Sequence, residues 1–546
     1  MSKISVSFSF SVNRLLAVFL CAALLVIAFL VLPSSVPVAN ALTPRAPIHI
    51  LGDSDFTPAN GVVSGVGTFS DPYIIEGWDI SAASNHGIWI EYTTAHFVLR
   101  NCYVHEGAPS YHGIYFYQVY NGKIENVESS WNLWGITLHE SGSKGYGNSI
   151  AGCYVHENWW TGIYLTASNY TSLEDNVADN SPTGYSLIQS NNNTLKFNKA
   201  SHNSQNGFSL ANSQNNLLAD NLIAGSDIGI SGDYQSANCI ISGNTINNNR
   251  VGMYLFSSDG ILTGNKVNNN DYGIFLFSTS RNTLVDNQAN ENSGHGIGLY
   301  SCVNTTLKNN IAKKNAVGFF IGYGHQIIFT GNSAEENNQS GYKISDVNDC
   351  ILSGNTAINN NYCGFNLTNS NSNELNGNTA SHNHSGFNFT GSDSNELNGN
   401  TASHNSYRAI ILYQSNHNTL TSNTASHNFD GIYFSNSSYN MLSGNTANNN
   451  NYYGFWINYL SGNNTISDNI TNENREIGIL LYALSDDNTL SGNTANSNGL
   501  YGIVLSSSSN KVVSNTCYYN GNEDIQNLGS GNFFQYNSYD TSSGVP

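Results

Sequence analysis

Two near-copies decide the fold of this chain: LNGNTASHNHSGFNF (residues 375–389) and LNGNTASHNSYRAIIL (residues 397–412). In each copy a leucine precedes a central asparagine by three residues, an alanine follows it by two, and a segment with alternating apolar residues comes next. Alternation with a period of two is typical of a half-buried β-strand. The Gly, Asn and Ser residues in between form turns and are poor helix formers. The copies therefore predict short strands joined by tight turns.

The central asparagine of this unit returns sixteen times, at intervals of 21 to 24 residues. The positions are Asn176, Asn198, Asn221, Asn244, Asn265, Asn287, Asn310, Asn332, Asn355, Asn378, Asn400, Asn423, Asn445, Asn469, Asn493 and Asn515. A unit this short cannot bury its own apolar side chains and must stack on its neighbours. Leucine-rich repeats have a similar period but need several leucines per unit and usually a helical return. We therefore predict an all-β, single-stranded, right-handed parallel β-helix, with the handedness taken from the rule for parallel crossovers.

The repeated asparagine has a predicted structural role. Equivalent residues of stacked coils lie about 4.8 Å apart, so each Asn amide can donate a hydrogen bond to the Asn carbonyl of the next coil. Asn also tolerates the left-handed backbone of a sharp corner. We expect an internal ladder that includes Asn332, Asn355, Asn378, Asn400, Asn423 and Asn445.

The Gly-led apolar strand gives the coil count and the domain limits. It occurs nineteen times, from Gly87 to Gly502, with Ala409 as the one replacement for Gly. We predict about 19 coils over residues 81–520, a short N-terminal cap over 42–80, and a C-terminal cap and tail over 521–546. Capping segments are expected because an open first or last coil would pair with other molecules.

Residues 1–41 have the pattern of a secretory signal. Lys3 and Arg14 precede an apolar run from Leu15 to Leu32, and Ala39-Asn40-Ala41 matches a cleavage site. An uncleaved membrane anchor is the alternative, because eighteen apolar residues are close to the length that spans a bilayer. Both alternatives predict an extracellular or cell-surface protein, with no integral membrane domain beyond this segment.

The charge balance limits the partners. The chain has 37 acidic and 18 basic residues, so nucleic acid is not an expected partner. We expect a glycan or the surface of the cell envelope instead.

The repeats and the leader together resemble a known family. The Asn-x-Ala and Gly-led coils, with Asn60–Gly65 and Asp71–Gly77, are similar to right-handed parallel β-helix proteins of the NosD-like group. That group belongs to the wider class of carbohydrate-binding proteins and sugar hydrolases, and this sequence looks similar to members exported by methanogenic archaea. The resemblance covers roughly residues 45–540. It implies the fold, and it implies either a surface role or, as for NosD, periplasmic copper-site assembly.

Aromatic residues mark the first candidate site. In the Gly-led strand the residue between the two apolar ones points outward, which gives a broken stripe of Trp89, Tyr115, Tyr164, Tyr254, Phe275, Phe320, Tyr433 and Trp456. Aromatic faces suit the apolar C–H faces of sugar rings. Residues 86–165 are the predicted carbohydrate-binding region, with Trp89, Tyr111, Tyr115, Trp131, Trp134, Trp159, Trp160 and Tyr164 as its residues. The alternative is that these rings only stack and stabilise the sheet.

Histidines give two further sets of candidates. Three consecutive Ser-His-Asn motifs place His382, His404 and His427 in one row, which is a weak candidate for copper; near-identical repeats explain the row equally well. The pairs His105-Glu106, His139-Glu140 and His156-Glu157 are weak candidates for acid–base catalysis, and only the first and last pairs share a slot.

A polysaccharide hydrolase or lyase is the first alternative function. Such β-helix enzymes combine an aspartate set with Gly-His-Gly and Arg-x-Lys, or hold calcium with clustered carboxylates. Gly294-His295-Gly296 is present, but its second Gly belongs to the repeat and no Arg-x-Lys occurs. We therefore predict an exported scaffold that binds carbohydrate, without a cofactor; calcium or copper would accompany the enzyme and copper-accessory alternatives.

Overall fold

The computed structural model describes residues 42–546, so the predicted signal segment lies outside the described residues. These residues form a right-handed parallel β-solenoid of about 20 turns. Apart from two 3-10 turns, Asp53–Asp55 and Pro58–Asn60, the described chain contains no helix. The all-β parallel β-helix predicted from the repeats is confirmed, with close to the expected number of coils.

Most coils contribute one strand to each of three sheets, called A, B and C here, and the coils at Thr446, Ile470 and Thr494 contribute only single bridges to sheet A. The strands of sheet A are Thr43–Arg45, Trp78–Ser81, Tyr103–His105, Glu128–Ser130, Tyr154–His156, Val177–Asp179, Lys199–Ser201, Leu222–Ala224, Thr245–Asn247, Lys266–Asn268, Gln288–Asn290, Ile311–Lys313, Ser333–Glu335, Thr356–Ile358, Thr379–Ser381, Thr401–Ser403 and Thr424–Ser426, and a separate pair, Thr516–Cys517 and Ser538–Tyr539, follows in the same direction.

Sheet B carries the Gly-led strands. They are Ile48–Leu51, Ile88–Thr93, Ile114–Val119, Trp134–His139, Thr161–Thr166, Thr183–Ile188, Asn206–Ala211, Ile228–Gly232, Val251–Leu255, Tyr272–Phe277, His295–Tyr300, Val317–Gly322, Tyr342–Ser345, Cys363–Thr368, Ser385–Thr390, Arg408–Tyr413, Asp430–Ser435, Tyr453–Asn458, Ile477–Leu481, Tyr501–Leu505, Glu523–Asn527 and Ser542–Ser543.

Sheet C closes each coil. Its strands are Val62–Ser64, Tyr73–Glu76, Phe97–Arg100, Gly122–Glu125, Ser149–Ala151, Ser172–Glu174, Thr194–Lys196, Leu217–Ala219, Ile240–Ser242, Ile261–Thr263, Thr283–Val285, Thr306–Lys308, Ile328–Thr330, Ile351–Ser353, Glu374–Asn376, Glu396–Asn398, Thr419–Thr421, Met441–Ser443, Thr465–Ser467, Thr489–Ser491, Lys511–Val513 and Phe533–Gln535. Strand Val62–Ser64 pairs antiparallel with Tyr73–Glu76, whereas the coils that follow stack in parallel.

Equivalent residues of neighbouring coils lie in register. On sheet B, Asn366 pairs with Asn388, Asn388 with Ile411, and Ile411 with Tyr433. Side chains of one slot therefore form columns along the rod, as parallel pairing requires. This register is what allows a surface feature to extend over several coils.

The interior is filled by the alternating apolar residues of all three sheets. Leu375, Ala380, Phe387 and Phe389 are fully buried, and the Phe365 and Phe387 rings stack with centroids 4.8 Å apart at 7°. Stacked columns of identical or similar side chains bury apolar area continuously between coils, which a single coil could not do.

The predicted asparagine ladder lies buried at the corner between sheets C and A. Asn378 is a representative member: its side-chain Nδ2 donates to Leu352 O at 2.8 Å and to Asn400 Oδ1 at 3.0 Å. Its backbone N–H also donates to Asn400 Oδ1, at 2.9 Å. The ladder supplies partners for corner backbone groups that the strands leave unpaired.

Two further asparagine ladders occupy the other corners. One includes Asn383, Asn405 and Asn428, between sheets A and B; the other includes Asn373, Asn395 and Asn418, between sheets B and C. Buried serines form a fourth row, in which the backbone N–H of one coil donates to the hydroxyl of the next, as from Ser370 to Ser392 at 3.1 Å. The repeat analysis identified only the first ladder.

Each ladder asparagine in these coils follows a residue with a left-handed backbone. Gly377 precedes Asn378 with φ 62°, and His382 precedes Asn383 with φ 57°. Gly adopts this conformation without strain, whereas at the next corner a histidine adopts it and points into solvent.

Candidate functional site

The outward column of sheet B begins with a connected surface of rings. Trp89, Tyr115, Thr137 and Tyr164 occupy one slot in four successive coils. The Trp89 and Tyr115 ring centroids are 6.2 Å apart, and Trp134 in the neighbouring slot stacks with Tyr164 at 6.0 Å. The structure thus brings together five of the eight aromatic residues predicted from the sequence, with Tyr111 connected through His86 at 5.8 Å.

Two histidines that the sequence analysis did not select fill the spaces between these rings. The His112 ring lies 4.7 Å from Tyr115 and 4.5 Å from Trp134, and its Nδ1 is 2.8 Å from Thr137 Oγ1. The His112 backbone N–H donates to His86 Nδ1 at 3.0 Å. Burial, with smaller contributions from the charges of His86 and His139, lowers the pKa of His112 to about 3. His112 is therefore a neutral ring of the aromatic surface at physiological pH.

Trp131, Trp159 and Trp160 are separate from this surface. All three are more than half exposed, and none of the aromatic pairs formed by residues 42–546 includes them. They lie in the turns that lead into strands Trp134–His139 and Thr161–Thr166. They are therefore free ring faces beside the connected surface rather than members of it.

His139 and Glu140 border the same surface on its polar side. Tyr115 Oη and His139 Nδ1 are 3.0 Å apart, His139 Nε2 is 3.5 Å from Glu140 Oε1, and Gln118 Nε2 donates to Glu140 Oε2 at 2.8 Å. The hydrogen bond from Gln118 lowers the pKa of Glu140, which keeps the carboxylate ionised and able to accept hydrogen bonds.

The other two predicted His-Glu pairs lie on sheet A. His105 Nε2 is 3.0 Å from Asp79 Oδ1, and its Nδ1 is 3.7 Å from Glu106 Oε2. The six catalytic candidates are therefore divided between two sheets and do not form one site. His105 and His156 share a column, with Ser130 between them.

His156 is held between two carboxylates. Its Nε2 lies 3.2 Å from Glu128 Oε1 and its Nδ1 lies 3.2 Å from Glu157 Oε2. Burial lowers the pKa of His156, but the hydrogen bonds and charges of Glu128 and Glu157 outweigh it, so the pKa is raised. The group can thus hold a proton between two carboxylates near neutral pH.

The metal candidates His382, His404 and His427 form an exposed stack. Neighbouring ring centroids are 5.2 and 5.0 Å apart, with interplanar angles of 7° and 3°. Parallel rings do not converge on a point between them. Within residues 42–546, no group of three or more His, Cys, Asp or Glu side chains is arranged to hold a metal ion.

A second feature of sheet B was only partly indicated by the sequence. A cavity of about 410 Å³ lies in the middle of the rod, lined by Ile228, Arg250, Val251, Tyr254, Tyr272, Phe275, His295 and Phe320. The sequence analysis placed Tyr254, Phe275 and Phe320 in the outward stripe. It did not identify the neighbouring slot of Val251, Tyr272 and His295. This slot could have been found in the sequence, because an apolar or aromatic residue stands there directly before the repeat Gly.

The fold and the family comparison agree on the class of protein. A solenoid of stacked parallel coils with internal asparagine ladders defines a β-helix repeat protein. The family model described as "Right handed beta helix region" matches residues 108–231, 134–289 and 381–517. These matches cover more than half of the chain, which therefore belongs to the right-handed β-helix family. The model described as "Periplasmic copper-binding protein (NosD)" matches residues 232–349 and 312–409, so the resemblance to NosD-like proteins is confirmed.

Solved structures with similar coils include polysaccharide-related proteins. The Dettilon tailspike protein is 13% identical, with 62% of each chain covered and a TM-score of 0.35, so this chain spans less than two thirds of it. A periplasmic alginate epimerase AlgG variant is 14% identical, over 70% of this chain and 85% of the epimerase, at a TM-score of 0.33. The Azotobacter vinelandii mannuronan C-5 epimerase AlgE4 A-module is 12% identical, over 78% and 91%, at 0.25. These scores support no inference about function.

Two further findings concern curated proteins and membrane-spanning helices. No protein of curated function matches the chain. Among the residues described, no helix is long and apolar enough to cross a membrane.

Proposed function

We propose that this protein is an exported β-helix scaffold, secreted or held at the cell surface, that binds carbohydrate through its N-terminal coils. The observation that carries the proposal is the connected ring surface from Trp89 to Tyr164, which extends over four coils of sheet B. Surfaces of this kind offer apolar faces to sugar C–H groups and polar edges to sugar hydroxyls.

The polar groups at the border of this surface suit hydroxyl recognition. His139 and Glu140 provide a ring nitrogen and a carboxylate beside Tyr115, and Glu91 Oε1 lies 2.8 Å from His49 at the first coil. The exposed rings of Trp131, Trp159 and Trp160 would extend the platform at its edge. Because acidic residues exceed basic ones by about two to one, an uncharged glycan is favoured over a polyanion.

The domain assignment belongs to the same proposal. Residues 1–41 would direct export, 42–80 and 521–546 would cap the two ends, and 81–520 would form the rod. The short antiparallel pair of Val62–Ser64 with Tyr73–Glu76 supports a capping role for 42–80, because it departs from the parallel stacking of the coils and would block further pairing at that end.

A glycan array with the full chain tests the proposal. We expect binding to uncharged oligosaccharides that falls at least tenfold when Trp131, Trp159 and Trp160 are all changed to Ala, since ring stacking contributes about 0.5–1.5 kcal/mol per pair. The matched control changes three exposed aromatic residues of later coils, Tyr362, Tyr413 and Tyr439, to Ala. Equal losses in both variants would contradict an N-terminal site, and so would binding that survives both these changes and the further change of Trp89 and Trp134 to Ala.

A polysaccharide-cleaving enzyme is the second candidate, favoured by the two carboxylates that flank His156. Glycosidases place a pair of carboxyl groups on either side of the scissile bond. Incubation of a bound glycan with the protein would then release reducing ends, and Glu157→Gln would abolish the release. Such a result would replace the scaffold interpretation with an enzymatic one.

A further inference from the structure

The cavity in the middle of the rod is a trough that follows the rod axis. From Ile228 its lining continues through Val251, Tyr272 and His295 in one slot, and Phe320 marks its far end. Ile228 and Phe320 are four coils apart, which corresponds to a length of about 19 Å at the spacing of parallel strands. A trough of this shape suits a linear ligand that runs parallel to the axis.

We propose that this trough is a second glycan site, which binds a short, uncharged oligosaccharide with its chain parallel to the rod. The inference rests on the proposed function in taking carbohydrate as the ligand, but it concerns a different surface. One pyranose ring with its glycosidic bond extends a chain by roughly the rise of one coil, so each sugar ring meets one coil and successive rings meet equivalent slots.

A glycine in the outward column makes room for one wall of the trough, the Phe275 ring. Gly298 lies between Phe275 and Phe320 in the slot that holds large rings on either side. A Cβ atom at Gly298 would be 2.8 Å from Cδ2 of Phe275, so the Phe275 ring already leans over the glycine. Any larger side chain at this position would enter the trough or displace that ring.

The walls of the trough are mainly aromatic. Tyr254 and Phe275 stack with centroids 5.8 Å apart at 28°, and His295 stacks on Phe320 at 4.6 Å and 8°. Ring faces arranged in this order along an axis match the alternate C–H faces of a sugar chain. Val251, which is buried, lies at the base.

The polar groups of the trough carry little net charge. Arg250 donates to both carboxylate oxygens of Asp227, through Nε and, at 3.0 Å, through Nη2. Its charge is therefore compensated, and the guanidinium offers its remaining N–H groups at the rim. Burial lowers the pKa of His295 to about 4, with a contribution from Lys343, so the imidazole is neutral. These features favour an uncharged ligand over an anionic one.

His295 supplies an independent indication of a polar ligand. Its Nδ1 is buried, and within residues 42–546 it has no hydrogen-bond partner. A buried polar atom without a partner is costly, and a water or a hydroxyl group that reached it would relieve that cost.

Isothermal titration of the full chain with cellohexaose, mannohexaose and chitohexaose tests the proposal. We expect at least one of these hexasaccharides to bind, and Gly298→Leu to weaken that binding at least tenfold by displacing the Phe275 ring that forms one wall. Ser209→Leu is the matched control, because Ser209 occupies the same outward slot outside the trough; it should change the affinity less than twofold. If Gly298→Leu does not fold, Phe320→Ala, which removes one wall, should give the same tenfold loss.

The outcomes separate the two sites. Loss of binding in the Gly298 variant, with the Trp131, Trp159 and Trp160 variant unaffected, supports the trough as the site of that hexasaccharide. Loss in the tryptophan variant alone overturns the trough and leaves the proposed function intact. If none of the three hexasaccharides binds to the unmodified protein, the trough proposal fails, whereas the N-terminal site stands or falls with the glycan array.

Discussion

The coils of residues 86–165 and those of residues 366–433 have the same arrangement of strands, but they differ in the lengths of their turns and in their surface residues. In the later coils the ladder between sheets A and B advances by 22 or 23 residues, as from Asn383 to Asn405 and Asn428. In the earlier coils the equivalent steps are 25 and 26 residues, from Gly107 to Asn132 and Asn158. The additional residues lie in the turns before strand Ile114–Val119 and before strand Ser149–Ala151.

The interiors of the two regions differ as well. The first ladder slot holds Asn378, Asn400 and Asn423 in the later coils, but buried Cys102, Val127 and Cys153 in the earlier ones. The ladder begins only at Asn176, which accepts the Cys153 backbone N–H at 3.0 Å. The early coils therefore have a more apolar corner and a surface with more aromatic and titratable side chains. The later coils have polar corners and repeat similar surface residues.

This difference indicates a division of roles along the rod. Local departures from a consistent repeat are expected at functional sites, while regular segments serve stability. A solenoid allows this division because each coil contacts only its neighbours, so the cost of an irregular coil stays local.

The largest effect should come from removing a ladder residue in the regular coils. Asn400→Ala leaves Asn378 N and Nδ2 without their acceptor and deprives Leu375 O and Asn423 Oδ1 of a donor. Buried polar groups left unpaired should lower the free energy of unfolding by about 3 kcal/mol. Denaturant unfolding measures the change, and hydrogen exchange should show it concentrated in the coils on either side.

Two variants bracket this result. Asn398→Ala, on the exposed face of the same coil, should change stability by no more than about 0.5 kcal/mol. Cys153→Ala, in the same slot of the early coils, removes only the weak S–H donor that faces Ile124 O and Ala151 O, so its effect should be the smaller of the two ladder-slot changes. If Asn400→Ala and Asn398→Ala destabilise equally, the ladder does not stabilise the corner.

Much of the regular region could be predicted from the sequence. Period, strand alternation and the role of Asn378 or Asn400 follow from spacing alone, because a register that repeats puts equal slots in columns. The ladders of Asn373 and Asn383 were also available as asparagines five residues before and after the first. The sequence analysis does not use them, since it interprets His382, next to Asn383, as a weak metal candidate.

The sites of the irregular region were harder to predict. The burial of His112 depends on how Tyr115 and Trp134 tilt around it. The position of the Phe275 wall depends on the absence of a side chain at Gly298. None of these features has a period, so repeat analysis gives them no signal.

The next effect, which is absent at neutral pH and grows as the pH falls, should appear in the pH dependence of the early coils. The pKa of His112 is lowered to about 3 by burial. The His112 imidazole therefore takes up a proton near pH 6.5 in the unfolded chain but not in the folded chain. As the pH falls below 6.5, this site should therefore reduce the free energy of unfolding by about 1.4 kcal/mol per pH unit until the pH approaches 3. His112→Phe keeps the ring and removes the titration, so its stability should depend less on pH.

The comparison between variants isolates the site, since carboxylates contribute a slope of their own in every protein. Denaturant unfolding between pH 4 and 7 gives the two slopes, with the fluorescence of the neighbouring Trp134 as a local signal. His404→Phe, the same change at an exposed histidine of the regular coils, is the control for the loss of a histidine. An unchanged slope for His112→Phe would mean that His112 is protonated in the folded state.

The smallest effect should follow from removing the row of His382, His404 and His427. Their rings are parallel and about 5 Å apart, whereas an imidazole nitrogen binds a metal ion at about 2.0–2.1 Å, so two neighbouring rings cannot hold one ion without rotating out of the stack. Changing all three to Asn should alter copper affinity, measured by titration calorimetry, less than twofold. His202→Asn, in the equivalent position of an early coil, is the matched control. The loss of one equivalent of bound copper in the triple variant alone would show that the stack opens to bind the ion. The functional site would then lie in the regular coils rather than in the irregular ones.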